Sequence, residues 1–331
     1  MAQIGCGYWG PNLLRVFHEL PGARFAWLCD KKPGRLEWAR EKYPRLKMTT
    51  ELADVLRDPA VDAVVVATEV VTHHAIAAAA LKAGKHVFVE KPLAHSTREA
   101  ADLARLAASR RRVLAVGHVF LYHPAVRVLR EQLAPKRLGR LRYVDMVRVN
   151  PGPPRPRHDV LWDMAPHDVA MALDLTGAAP LSVRAIGLRW KLKLAEAAFL
   201  EVRFARGALA RIHVSWMSSR RIRRVEAYCE NGAAFYDDTE PVEKLRLVFP
   251  GEDTRVGAKA AEKRTLYYGP GRTVVPVLPQ EEPLKNECAD FLDSIRRGRR
   301  PYSGAETGVG VVRILEAASR SAARGGKEIR L

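Results

Sequence analysis

The 331-residue chain has only four cysteines, Cys6, Cys29, Cys229 and Cys288, with no C-x-x-C pair and no metal-ligand spacing among them. That excludes a disulfide-stapled scaffold and a zinc ribbon, and it reads as reduced thiols in a cytoplasm with no metal site. No apolar run approaches the roughly 20 residues of a membrane span. A hydrophobic share of 47% is that of an ordinary globular protein. The chain opens where a secretory leader would need a basic start and an apolar stretch, and has neither. Acidic residues are in short supply: 37 Asp and Glu face 55 Lys and Arg, a formal net charge of +18. Nucleic-acid binding, steering of small anions and plain composition compete to explain it. The basic residues are spread along the chain in small clusters, as at 110–112 and 296–300, without a recognition helix or an aromatic RNA motif. Composition therefore comes first, steering second and nucleic acid a distant third. Repeats and low-complexity tails are absent, and the length suits two domains.

What is present begins at once. A short strand, Ala2-Gln3-Ile4, runs into Gly5-Cys6-Gly7-Tyr8-Trp9-Gly10, a G-x-G-x-x-G fingerprint. Gly5 allows the tight turn, Gly7 keeps side chains off a pyrophosphate, and Gly10 lets the next helix pack on the sheet. That helix, expected over 12–19, offers free N–H groups and a positive dipole end to the anion. A second strand, 25–29, ends on Asp30, about twenty residues past the last glycine, where an acid reads the adenosine ribose 2′-OH. The unit predicts dinucleotide binding. Asp30 favours NAD by repelling a 2′-phosphate, while Lys31 and Lys32 keep NADP open. Three residues are few for the central strand of a doubly wound sheet, which leaves open a true start upstream of Met1.

Alternation of strand and helix continues through 51–57 (helix), 61–68 (a near-continuous apolar strand), 75–83 (helix closed by Gly84), 86–89, a helix opened by the capping-box pair Ser96 and Glu99, and 113–116. This is an α/β pattern, a Rossmann doubly wound parallel sheet over residues 1–121. Beyond it the pattern becomes α+β over residues 122–331: a helix at 124–133, a strand at 141–150, a proline loop at 151–156, a helix at 161–175, then strands over 183–249 with turns at Arg206-Gly207 and Asn231-Gly232. An open antiparallel sheet follows from that pattern, with two closing helices near 283–297 and 306–324. Its alternation leaves one face without helices to cover it, which predicts a homodimer or homotetramer joined through the sheet.

Two segments carry chemistry. Residues 86–92, His-Val-Phe-Val-Glu-Lys-Pro, end a buried strand in a charged pair held by proline, at the edge of the sheet where ligands bind. There Lys91 can donate a charged hydrogen bond to a substrate hydroxyl, although a surface lysine on a turn reads the same residues equally well. In Leu161-Trp162-Asp163-Met164-Ala165-Pro166-His167-Asp168, Asp163 and His167 stand at i and i+4 on one helix face. A carboxylate beside an imidazole is an acid–base unit. Asp163 as a helix cap, or Asp163 and His167 in a metal site with His158 or His123, are the plainer readings, the metal one weakened by irregular spacing. His73, His74, His118 and His123 read as ordinary polar residues at strand ends.

These segments together resemble the Gfo/Idh/MocA oxidoreductase family along nearly the whole chain. Gly5 to Asn12 with Arg15, Thr68 with His73, the Glu90-Lys91-Pro92 signature, Gly117-His118, the block 162–168 and the segment 282–287 with Phe291 all fall in family order. Within it, 5–12 and 161–168 look most like the branch acting on nucleotide-sugar acids, the UDP-N-acetylglucosaminuronate 3-dehydrogenase type. The resemblance implies an NAD(H)-dependent dehydrogenase moving a hydride between nicotinamide and a hydroxyl-bearing sugar carbon. Lys91 would be the shared active-site lysine, His167 the acid–base residue and Asp163 its orienting group. Cofactor contacts would come from Gly5, Gly7, Tyr8, Trp9, Gly10, Asp30, Thr68, His73, Glu90, Lys91 and His118. Tyr122 would face the substrate, and Arg155 and Arg157 are the first arginines to test if it carries a diphosphate or carboxylate, though both read equally as solvated. Leu121 stands where many members carry arginine, which puts that contact in doubt. A glycosidase with a recycled NAD, and an NADH-sensing nucleic-acid-binding protein suggested by the charge alone, are the competing functions.

Overall fold

A computed structural model describes residues 1–133, 137–152, 159–250 and 271–331. The chain forms two units, Met1–His123 with Glu281–Glu316, and Pro124–Gln280 with Ala317–Leu331. Residues 281–316, expected in the second domain, group with the first unit.

The first unit is a six-stranded parallel sheet of β1 (Ala2–Ile4), β2 (Trp27–Cys29), β3 (Lys47–Thr49), β4 (Ala63–Val66), β5 (His86–Glu90) and β6 (Leu114–Gly117) in the order β3-β2-β1-β4-β5-β6. The order reverses between β1 and β4, and the crevice beyond the carboxyl ends at such a reversal is where open α/β sheets take ligands. Helices α1 (Gly10–Glu19), α2 (Gly34–Lys42), α3 (Leu52–Arg57), α4 (Val70–Lys82) and α5 (Thr97–Ser109) form the crossovers. Val64, Val65 and Val66 are fully buried, as an apolar run in a sheet covered on both faces requires. Ser96 caps α5 by accepting from Glu99 N, and Glu99 reaches back to His95 N, one residue beyond the Ser96 backbone donor a capping box uses. β3 and α2 escaped the sequence reading because β3 is a three-residue edge strand without an apolar run.

Helix α6 (Pro124–Gln132) opens the second unit and α7 (Val160–Thr176) crosses it, while α8 (Pro283–Arg297) belongs to the first. Leu284, Cys288, Phe291 and Leu292 make one apolar stripe on α8, and Phe291 packs its ring against Phe17 and Phe88, with centroids 6.2 and 5.7 Å away. Fully burying such a ring contributes about 1.5–3 kcal/mol. A last helix, α9 (Ala305–Ala323), follows, its residues to Glu316 lying in the first unit.

In the second unit β7 (Leu141–Pro151), β8 (Pro180–Leu188), β9 (Ala197–Phe204), β10 (Leu209–Ser215), β11 (Met217–Cys229), β12 (Gly232–Asp237), β13 (Leu245–Phe249), β14 (Arg272–Val274) and β15 (Ile329–Arg330) form one sheet. Its order is β14-β13-β12-β11-β7-β10-β9-β8-β15. It is mostly antiparallel rather than wholly so: β10 runs parallel to β7. The α7 crossover returns the chain as β8 in the direction of β7, and the β8-β9-β10 meander brings β10 beside β7 still in that direction. Register places Leu200, Ile212, Met146, Val225 and Tyr236 in one buried row, and α7 packs against β7, β9 and β10. The alternate residues include Phe199 and Tyr143, 42% and 43% exposed, with Phe199 stacked on His213 and Tyr143 on Tyr228.

Candidate active site

The glycine loop is built as a dinucleotide cradle. Gly5 has φ +94°, and a Cβ there would lie 2.5 Å from the Ala67 carbonyl oxygen; one on Gly10 would lie 2.8 Å from that of Gly5. At Gly7 the nearest atom is Arg35 Nη1 at 3.6 Å, so the backbone is open to a close phosphate. Gln3, buried beneath the loop, donates from Nε2 to the carbonyls of Gly5 (3.0 Å) and Gly10 (2.9 Å). Asp30 accepts from Cys6 N at 2.7 Å and from Lys32 N at 2.9 Å, tying the end of β2 to the loop, and Arg35 Nη1 stands 3.4 Å from it. Sequence reasoning missed Gln3 and Arg35. Gln3 was signalled as a lone polar residue inside a central strand, whereas Arg35 lies on a helix without a clear apolar stripe. Tyr8 and Trp9 are both exposed.

At the end of β5, Lys91 follows Glu90 on the same carboxyl edge. The Glu90 carboxyl lies against Gly117, where a Cβ would come within 3.0 Å of Oε1, and its Oε2 accepts from Lys91 N at 3.1 Å. Desolvation raises this carboxyl to about 7, with the Lys91 charge pulling the other way. Glu287 on α8 is buried, with neither carboxyl oxygen hydrogen-bonded among the described residues; burial and then the Glu90 charge push it well above the carboxylate range. His118 is fully buried and neither ring nitrogen has a hydrogen-bond partner among the described residues; burial, then Lys91, hold its pKa down to about 3, so the ring is neutral.

Two expected contacts are placed differently from the reading given above. His73, expected along the nicotinamide, is buried with Nδ1 2.8 Å from the Pro92 carbonyl and Nε2 3.0 Å from that of Thr68, so both ring nitrogens are turned to backbone. Thr68 also accepts from Thr72 Oγ1 at 2.7 Å. Tyr122, expected at the substrate, is buried and donates to Asp290 at 2.7 Å while accepting from Ser303 N at 3.0 Å. Its hydroxyl is taken up inside the first unit because α8 and the segment after it pack there.

Asp163 and His167 lie on α7 in the second unit. Asp163 is not the cap: Asp159 is, accepting from Trp162 N at 3.0 Å. Asp163 instead accepts from Trp216 Nε1 at 3.2 Å, on the turn between β10 and β11. His167 is half-buried, and the next residue, Asp168, is held by Arg148 of β7 through bonds of 2.6 and 3.1 Å with both side chains buried. That ion pair fixes the turn of α7 carrying His167. Arg155, Arg157 and His158 lie outside the described residues. Among the described residues no three of His, Cys, Asp and Glu are grouped to hold a metal ion, and no helix is long and apolar enough to cross a membrane. All four cysteines are free, and burial raises Cys6 and Cys29 to about 11.

Comparison with known proteins bears on both units. Residues 1–118 match the family model described as oxidoreductase family, NAD-binding Rossmann fold, and residues 126–235 match the GFO/IDH/MocA C-terminal domain. UDP-N-acetylglucosamine 3-dehydrogenase of Acidithiobacillus ferrooxidans is 32% identical over 259 residues, 78% of this chain and 77% of that protein. Its solved structure superposes with a TM-score of 0.83 over 97% of each chain at 28% identity. GenD2 from gentamicin A biosynthesis, solved in complex with NAD, gives a TM-score of 0.82 at 27% identity over 100% of this chain and 95% of that one. The scyllo-inositol 2-dehydrogenase (NAD(+)) of Bacillus subtilis is 28% identical over 196 residues, 56% of this chain and 57% of that protein.

Proposed function

Because the chain belongs to the Gfo/Idh/MocA oxidoreductases, an NAD-binding family, we propose that it is a dehydrogenase acting on a hydroxyl of a nucleotide sugar. The observation that carries the reading is the placement of Lys91 on the same strand-end edge as a glycine loop shaped for a pyrophosphate. The nucleotide-sugar class rests on the relative named for UDP-N-acetylglucosamine. Gly5, Gly7 and Gly10 would hold the pyrophosphate of NAD and Asp30 its adenosine ribose, and the bound cofactor would supply the hydride acceptor. Lys91 donates to the hydroxyl oxygen as the carbon gives up hydride, opposing the negative charge that develops there. His167 takes the hydroxyl proton, and Asp163, fixed by Trp216, orients the imidazole. The outward face of the second unit's sheet, with Phe199 and Tyr143, is the surface through which two copies associate.

The test is steady-state kinetics with NAD and UDP-N-acetylglucosamine, with the uronate as a second substrate. Lys91→Ala is expected to leave NAD affinity nearly intact and lower kcat on the order of a hundredfold. His167→Ala is expected to cost about 10²- to 10⁴-fold and to remove a titration near neutrality from the rate; Asp163→Asn does less harm. Full activity of His167→Ala on a verified substrate overturns the acid–base assignment.

A further inference from the structure

A buried imidazole is set between two backbone carbonyls at the end of the parallel sheet. His73 stands in the first turn of α4, and its Nδ1 lies 2.8 Å from the carbonyl oxygen of Pro92, the residue after Lys91. Its Nε2 lies 3.0 Å from the carbonyl oxygen of Thr68, just past β4. Proline has no N–H to donate, and the contacts at this turn include the Lys91 N–H on Glu90 Oε2 at 3.1 Å and the Pro92 carbonyl facing His73. The segment just past β4 that His73 touches also walls the glycine loop, since the Ala67 carbonyl is the atom a Cβ on Gly5 would meet.

We infer that His73 is a positioning residue: by donating from Nδ1 to the Pro92 carbonyl it holds the Lys91 turn against the end of β4 and so sets where the lysine points. The inference rests on the reading of Lys91 as the group that faces the substrate hydroxyl. Burial lowers the pKa of the ring, with the two carbonyls opposing it and the Lys91 charge acting with burial. A neutral imidazole has one N–H for two acceptors, and here it is placed on Nδ1, facing the Pro92 carbonyl at 2.8 Å.

That assignment separates two conservative variants. Asparagine places its amide where Nδ1 was and keeps the donor to Pro92, whereas glutamine reaches the Nε2 position and the Thr68 carbonyl. We expect His73→Asn to lose no more than about threefold in kcat, and His73→Gln and His73→Leu to lose about ten- to a hundredfold, the range a displaced catalytic group gives. KM for NAD and the NADH dissociation constant stay within about twofold in all three, because the glycine loop is untouched. The Asn and Gln variants carry the same buried amide, so matched unfolding temperatures separate positioning from loss of fold. On a Lys91→Ala background His73→Gln is expected to cost nothing further. Crystal structures of the Asn and Gln variants with NADH should show the Lys91-Pro92 turn kept in the first and shifted in the second. Equal activity of Asn and Gln variants, a further loss on the Lys91→Ala background, or an unshifted turn in the Gln variant overturns the inference. If Lys91→Ala is fully active, the reading of Lys91 falls instead, and the turn position in the two crystal structures still decides what His73 holds.

Discussion

Replacing Asp168 by asparagine keeps the shape of the side chain and removes its charge, which makes it a sharp probe of how α7 is held. Arg148 Nε and Nη2 donate to the two carboxylate oxygens at 2.6 and 3.1 Å, and the side chains are 5% and 1% exposed. In Asp168→Asn the guanidinium stays charged and buried while one of its acceptors becomes an N–H₂ donor. Breaking one partner of a buried pair costs about 3–5 kcal/mol, chiefly the desolvation of the charge left behind. At about 2–4 °C per kcal/mol for a unit of this size, the transition should fall by about 6–20 °C in differential scanning calorimetry. Screening cannot reach a pair this buried, so 1 M NaCl should change the loss little. Arg148→Met combined with Asp168→Leu should recover most of it, because two apolar side chains of similar bulk leave no charge to desolvate. A shift of under 2 °C for Asp168→Asn, or a loss that salt abolishes, would refute the reasoning.

Glu90 is raised to about 7, above the unfolded value near 4.3, so between those values the folded chain holds a proton the unfolded chain has lost. Stability should therefore fall as pH rises from about 4.3 to about 7, and Glu90→Gln should flatten part of that slope in urea midpoints taken at pH 5 and pH 8. Arg35, 3.4 Å from Asp30, offers a countercharge to a 2′-phosphate; Arg35→Ala should widen the preference for NADH over NADPH several-fold, and Asp30→Ala should narrow it, in fluorescence titrations. Phe199→Asp puts a charge on the outward face of the second sheet and should lower the solution mass to that of one chain by light scattering; a wild-type protein already monomeric at micromolar concentration would sink the assembly proposal.

The glycine loop was legible because the information is local: a strand, a turn and a helix start lie within ten residues, and Gly5 and Gly10 stand where a Cβ would collide. The second unit's strands were legible from alternation, since β9 reads buried and exposed in turn along its length. What alternation cannot give is direction. That β10 runs parallel to β7 depends on α7 crossing between them, and no residue of either strand records it. The return of α8 to the first unit was hidden for a similar reason. Its apolar stripe was evident, but a stripe does not say which core it completes, and Phe291 reaches Phe17 across more than 270 residues of chain.

The same limit governs the site. Asp163 and His167 stand four apart on α7, a spacing that could be read directly, yet the partners of Asp163 and of the neighbouring Asp168 could not. Trp216 meets Asp163, and Arg148 meets Asp168, only through the pairing of β7 with β10 and the packing of α7 on both. His73 makes the point from the other side. As a histidine beside Thr68 it invited a role against the cofactor, and only the fold brings the Pro92 carbonyl to its Nδ1. A motif thus names residues by their spacing more readily than it names their partners, because Trp216, Arg148 and the Pro92 carbonyl are brought up by the fold from positions distant in sequence.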